Sequence, residues 1–422
     1  MKGLLVDDQK KAPQDFKIKN YAANLILFFL SVYVFINPLP HTTTIQGICL
    51  YGSVFLFVAM NSVGKTNIFQ VKTPLFVPTI LFVVWVVFGL FFAVDKQNSM
   101  HDLYAHLLKY IILCMLFVNM FNTRKKMEVL SWVIIFSVVS FVLYSFFTFY
   151  VVNGKGISVK FFGNSQGMTY NLLSIPVIFA VFLLLCNSVT ITKVYSKLLV
   201  LLLLVPLVFA SVLTQARSAF LALAISSFMF MFFYKKILIP VVLIICAGIL
   251  MFTPLKNRFS QDVSSNLRLN HALLVLEVLK DYPVSGIGFG METFGYSLDL
   301  DFYKDKFERT YNTQYGQEVV LIDPHNMYTD LLVRTGIPGF ALYVFFVFSL
   351  FRMLWKVRLS GDVFLRVWSL GVASSLVAYF IIGFFEPVFS HVHEFYFVLM
   401  VSLVSILWKQ HRSESLNLQR VQ

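Results

Sequence analysis

Lys160, Arg217, Arg268 and His325 are the basic side chains of this chain whose surroundings point to chemistry. Arg217 is the sharpest case. It sits in Thr214-Gln215-Ala216-Arg217-Ser218, a short link between the apolar runs 196–213 and 219–233. A permanent cation in so tight a turn lies at membrane depth or just above it, where charge is costly and usually functional. Guanidinium forks bind phosphate oxygens two at a time and stay charged at any relevant pH. Two arginines and a histidine therefore suit a diphosphate leaving group, because fixed cations stabilise the negative charge that builds up as it departs. His325 can accept a proton from an attacking hydroxyl or hydrogen-bond the diphosphate, and its residue type does not separate those roles. Lys160, with Asn164, adds a further cation and an amide from a glycine-rich loop, 153–167.

The residues around His325 suggest how it is presented. Asp323-Pro324 reads as an N-cap followed by proline at the first helical position. The positive end of that helix would face the anion, with His325, Tyr328 and Thr329 on one face. Arg334 falls opposite and can pair with Asp330 one turn earlier, which gives it a structural role. Gly336-Ile337-Pro338-Gly339 should then bend or interrupt the helix. Gly286-x-Gly288-x-Gly290 lacks a preceding strand and reads as a turn, not a nucleotide loop. Asp299 with Asp301, and Glu386 with His391, His393 and Glu394, have residue types that bind metals, yet read as polar surface clusters. No metal or other cofactor is expected.

The elements that must position these residues are membrane helices. Of 422 residues, 58% are hydrophobic, 13% are charged and 47 are Phe, so the bilayer is the solvent. Apolar runs of spanning length predict an all-α polytopic membrane protein with about twelve transmembrane helices. They lie near 22–37, 45–60, 74–94, 104–121, 129–152, 168–187, 196–213, 217–233, 237–253, 328–351, 364–384 and 394–410. With both termini in the cytoplasm, every inside loop carries Lys or Arg, whereas loops 38–44 and 385–393 carry neither. The net charge of +13 is mostly this topological signal and not a sign of nucleic-acid binding. The first span lacks a small-residue cleavage site and reads as an anchor. Cys49, Cys114, Cys186 and Cys246 all fall in apolar spans, without metal-ligand spacing, as small buried hydrophobes.

The chain thus divides into a basic tail 1–21, spans within 22–253, an outer loop 254–326, spans within 327–410 and a tail 411–422. The outer loop is aromatic-rich with mixed charge, so it should be ordered. In it Leu269, Ala272, Leu273, Leu276 and Leu279 recur at helical spacing over 268–281. That helix is expected to lie along the membrane surface.

Four segments, in order, carry a resemblance to a known family. They are Lys160-Phe-Phe-Gly-Asn164, Thr214-Gln-Ala-Arg217-Ser-Ala, Arg268 with its apolar helix and Tyr282-Pro283-Val-Ser-Gly286-Ile-Gly288-Phe-Gly290, and Pro324-His325-Asn326-Met-Tyr328 with Arg334-Thr-Gly336-Ile-Pro-Gly339. Together they resemble the O-antigen ligase and O-antigen polymerase superfamily of bacterial envelope glycosyltransferases. The likeness is close over about 160–355 and topological elsewhere. It departs at Asn164-Ser165-Gln166, where members often carry Asn-Pro-Asn.

The resemblance implies an inner-membrane enzyme that works on its periplasmic face without a metal. Its donor would be an undecaprenyl-diphosphate-linked glycan. A ligase transfers that glycan to a sugar hydroxyl of lipid A–core; a polymerase joins it to the next lipid-linked repeat. Ligase is the leading expectation, polymerase the main alternative, and a non-catalytic glycolipid flippase or exporter the rival from another class. By position, Arg217 and Arg268 would bind the donor diphosphate with help from Lys160. His325, with Arg217, would serve the transfer itself.

Overall fold

A computed structural model describes residues 6–64, 73–156, 159–162, 170–190, 193–233, 265–312, 324–387 and 391–421. Asn164, Cys246 and the expected span 237–253 lie outside them. The elements are α1 (Val6–Ile36), α2 (Thr43–Gly64), α3 (Phe76–Gly89), α4 (Lys96–Met120), α5 (Arg124–Val152), α6 (Tyr170–Thr190), α7 (Val194–Leu213), α8 (Arg217–Phe233), α9 (Ser265–Asp281), α10 (Leu300–Tyr311), α11 (Met327–Arg358), α12 (Val363–Gly383) and α13 (His391–Val421). Among the described residues seven helices are long and apolar enough to cross a membrane, and three shorter apolar ones accompany them. This is consistent with a polytopic membrane protein.

Helix α12 is the hub. Most of its apolar window is buried, and it packs against α6, α8, α11 and α13. It reads Ser-Leu-Gly371-Val-Ala-Ser-Ser through its middle, small residues that let neighbours approach closely. A Cβ at Gly371 would overlap the Cys186 sulfur of α6.

Side-chain contacts fix which ends of the helices lie together. At one end Asn187 of α6 donates to the Ser131 hydroxyl of α5 at 2.9 Å. The Cys186 thiol lies 3.6 Å from the Val367 carbonyl of α12. Arg358, closing α11, stacks on Phe233, closing α8, with 3.8 Å between guanidinium and ring. Arg124 of α5 pairs with Asp362 and Glu414 at this same end. The opposite end gathers the close of α5, the close of α7, the start of α8, the start of α11 and the close of α12. There Phe161 packs on Phe146 with ring centroids 4.7 Å apart. Asn326 donates to the Phe384 carbonyl at 3.0 Å, and the Tyr328 hydroxyl to the Phe380 carbonyl at 2.8 Å.

At this second end, residues 265–312 fold onto the bundle around a small core of their own. Leu274, Val275, Val278, Ile287, Phe294, Tyr303 and Phe307 close on Val333 of α11. The face of α9 expected to meet the membrane is therefore not its core face. Leu269 and Leu276 of that set stay exposed, while His271, Leu274, Val275 and Val278 point inward. Both stripes have helical spacing, and only the packing partner distinguishes them.

Helix α11 breaks at Gly336, whose φ of 69° and ψ of 179° are non-helical, and Pro338 has no N–H to continue the ladder. In an unbroken helix the carbonyls of Val333, Arg334 and Thr335 would accept from residues 337, 338 and 339. Instead Ile287 N donates to Val333 O at 2.8 Å and Gly288 N to Arg334 O at 3.2 Å. Trp85 of α3 donates to Thr335 O at 2.9 Å. The Ile337 amide, released by the break, donates to Pro283 O at 2.9 Å. The glycine series thus heals a helix break. A Cβ at Gly286 would come within 2.6 Å of the Arg334 carbonyl, and one at Gly288 within 2.5 Å of the Ser99 hydroxyl.

Gly336→Ala should lower stability in detergent by on the order of 1–3 kcal/mol, from positive-φ strain with overlap on the Val284 carbonyl. Gly361→Ala, with open space around it, should stay within about 0.5 kcal/mol of the parent. Equal melting temperatures for the three proteins would remove the argument.

Candidate active site

Two sets of side chains lie at the second end of the bundle. The first is built on the link between α7 and α8. Thr214, Gln215 and Ala216 are buried, and Gln215 takes a left-handed φ of 50° that reverses the chain within this short link. Arg217 follows as the first residue of α8, with its side chain exposed. Beside it runs the Lys160 segment. Phe161 N donates to Leu213 O at 2.9 Å, and its ring is buried against Phe149 at 5.5 Å between centroids. Lys160, half-buried, is thereby held next to the Arg217 turn.

The second set joins α9 to the start of α11. The ring of His325 lies 5.4 Å from that of His271, which is 3% exposed. His271 follows Arg268 by three residues on α9, so the two share a face one turn apart. Of Arg268 the structure describes the backbone alone.

The cap of α11 differs from expectation. Its N-cap is Asn326, whose side chain accepts from Tyr328 N at 2.8 Å and Thr329 N at 3.2 Å. Pro324 and His325 precede the helix, and Asp323 lies outside the described residues. His325 therefore does not share a helical face with Tyr328 and Thr329. It takes a left-handed φ of 49°, uncommon outside glycine though histidine is among the residues that adopt it most. It lies between the Asn326 cap and the ring of His271. The Asn326 amide also donates to the Phe384 carbonyl, which ties this cap to the close of α12.

Arg334 is a structural cation, as its pairing with Asp330 suggested. It is 2% exposed, donates to Asp330 at 3.2 Å and to the Phe289 carbonyl at 2.9 Å through Nε, and covers the Phe289 ring at 4.6 Å. Removing Asp330 alone would strand a buried charge, at a cost of about 3–5 kcal/mol. Asp299 caps α10 by accepting from Phe302 N at 3.0 Å, and Asp301 pairs with Lys304 at 3.2 Å.

Hydrogen bonds to charged groups tighten the frame of the site. The Asn98 backbone N–H and the Ser297 hydroxyl hold the Asp95 carboxyl below its ordinary range. Lys306 and the Tyr303 hydroxyl do the same for Asp281, which fastens α10 to α9. Depressed carboxyl pKa values stabilise the fold above the ordinary carboxylate range, and that contribution is lost as pH falls through the lowered value. Burial, followed by the Asp281 carboxylate, pushes the Tyr303 phenol up, so it remains a donor at any working pH.

Arg217, Lys160, His325 and the helix bearing Arg268 thus stand at one end of the bundle, around the close of α12. Basic residues at the far end include Arg124, Lys125, Lys126, Lys193, Arg358 and Arg366. His271 was missed in the sequence. The available signal was its place three residues after Arg268 on the stripe that continues through Leu274, Val275 and Val278.

No curated protein matches the chain. Residues 199–344 match the family described as O-antigen ligase, a stretch that begins in α7 and ends in α11. It contains Arg217, Arg268, His271 and His325, together with the glycine series and the helix break it heals. Over this stretch the chain is similar to the O-antigen ligase family.

Proposed function

We propose that this protein is an O-antigen ligase of the integral-membrane type. In this reading it moves a polysaccharide from undecaprenyl diphosphate to a sugar hydroxyl of lipid A–core at the periplasmic face of the inner membrane. The observation that carries the reading is the gathering of Arg217, Lys160, His325 and the Arg268 helix at the bundle end opposite the basic one. Basic ends face the cytoplasm, which supports a periplasmic site. The exporter reading would call for charges at mid-bilayer and repeat symmetry, and these residues lie at one end instead.

The chemistry needs little beyond them. The acceptor hydroxyl oxygen attacks the anomeric carbon as the bond to the diphosphate oxygen breaks. The hydroxyl proton passes to His325 or to the departing diphosphate. Arg217 and Arg268, with Lys160, carry the charge gained by the leaving group, which is the larger electrostatic demand of the step. His271 fixes the ring of His325, so that the imidazole need not be ordered as the substrates arrive. A polymerase would use the same donor, leaving group and face, with a lipid-linked repeat as acceptor.

Arg217→Ala and Arg217→Lys should each lower transfer by roughly a hundredfold or more while the protein still inserts, since lysine lacks the paired fork. A fully active lysine variant would remove the clamp. His271→Phe, which refills the volume beside His325, should keep the melting temperature yet reduce turnover; unchanged turnover would assign His271 to packing alone. The reading as a whole is tested by lipopolysaccharide gels from a strain lacking this gene, complemented with parent or Arg217→Ala. Bare lipid A–core with glycan stranded on its carrier supports the ligase. Core bearing a single repeat identifies a polymerase, and an unchanged ladder rejects both.

A further inference from the structure

A second polar array lies buried in the bundle outside these residues. Asp102 and His106 of α4 and Glu394 of α13 are 4%, 5% and 7% exposed. His106 Nδ1 is 2.6 Å from Glu394 Oε2, and its Nε2 is 3.7 Å from Asp102 Oδ1. The other Asp102 oxygen accepts from the Met291 backbone N–H at 2.6 Å. The turn that carries His106, Leu103–Leu108, is π-helical, a geometry that adds a residue to the turn and recurs at functional sites. Two turns of α4 grip the same loop. Ser99 accepts from Gly290 N at 3.2 Å, and Asp95 accepts from Ser297.

Two carboxylates flanking one imidazole are costly to bury and are retained where they hold a geometry. Here they end on Met291, one residue beyond the glycine series that pairs with α11. We propose that Glu394 and His106 orient Asp102, and that Asp102 positions loop 286–291, and through it the opening turns of α11 with His325. These are positioning residues, acting through the Met291 backbone that Asp102 holds. The functional half of the inference rests on the glycosyl-transfer reading; the positional half does not. Other titratable groups face the array: His101, Lys109 and Tyr110 on α4, Tyr33 on α1 and Tyr379 on α12. Turnover at a single fixed pH is therefore the cleaner readout.

The experiment compares Asp102→Ala, Asp102→Asn, Glu394→Gln and the double variant Asp102→Ala/Glu394→Gln in the full-length protein in detergent. Hydrogen exchange over 285–291 and steady-state transfer are measured for each. Asp102→Ala should speed exchange at Ile287, Gly288 and Met291 by about tenfold or more. It should also lower kcat roughly a hundredfold with KM for the donor unchanged, as expected when a reacting group is misplaced by about an ångström. Asp102→Asn should restore both, because its amide oxygen still accepts the Met291 N–H. The double variant should be no worse than Asp102→Ala, since residues acting in series do not add. Additive losses, or unchanged exchange in a folded Asp102→Ala, overturn the proposal. Should Asp102→Ala fail to insert, Glu394→Gln decides: exchange equal to the parent also overturns it. Faster exchange in variants of a parent that transfers no glycan keeps the positional inference and rejects the glycosyl-transfer reading.

Discussion

A helix that stops donating to itself in the middle of a buried bundle must find other partners for its backbone. Helix α11 breaks at Gly336, and the carbonyls of Val333, Arg334 and Thr335 are met by Ile287, Gly288 and Trp85. An unpaired buried backbone group costs about 1–3 kcal/mol, so these bonds together weigh as much as a sizeable part of a protein's net stability. The break and the loop that heals it are one feature in two distant pieces of sequence. The rest of the second end depends on it, because the loop carries α9 and α10 to α11 and α11 carries His325.

The loop is held from three sides by different chemistry. Backbone bonds tie it to α11. The Arg334 side chain, neutralised by Asp330, grips the Phe289 carbonyl and ring. The N-terminal turns of α4 offer Asp95, Ser99 and Asp102 to its far side. Glycine is required where these sides converge, since at 286 and 288 a Cβ would meet the Arg334 carbonyl and the Ser99 hydroxyl. The Gly-x-Gly-x-Gly pattern therefore records close approach of protein to protein.

The division of charge between the two ends follows from the solvent. Cations at the basic end stack on aromatic rings or pair across helices, as Arg358 does with Phe233 and Arg124 with Asp362 and Glu414. Arg217 sits exposed at the head of a helix, whose positive end adds to the attraction for an anion. His325 takes a left-handed φ of 49°, uncommon outside glycine, between the Asn326 cap and the ring of His271.

Much of this was legible in the residues alone. Hydropathy placed most of the helices, the distribution of Lys and Arg marked one end, and Asp330 with Arg334 announced a pair at helical spacing. The break at Gly336 followed from glycine and proline chemistry, and Arg217 stood out because nothing apolar explains it. Three features were not legible. The cap of α11 is Asn326, whose amide also has a tertiary acceptor in the Phe384 carbonyl that no local pattern reveals. The inward face of α9 was ambiguous because leucines lie on both of its stripes. The pairing of His271 with His325 and the Asp102–His106–Glu394 array join partners up to 288 residues apart, which packing alone brings together. Local sequence thus determined where helices form, where they stop and which residues are costly to place. Which costs are offset by which partners was decided only by the tertiary structure, because hydrogen bonds and charge pairs act over a few ångströms in space, however far apart their residues are along the chain.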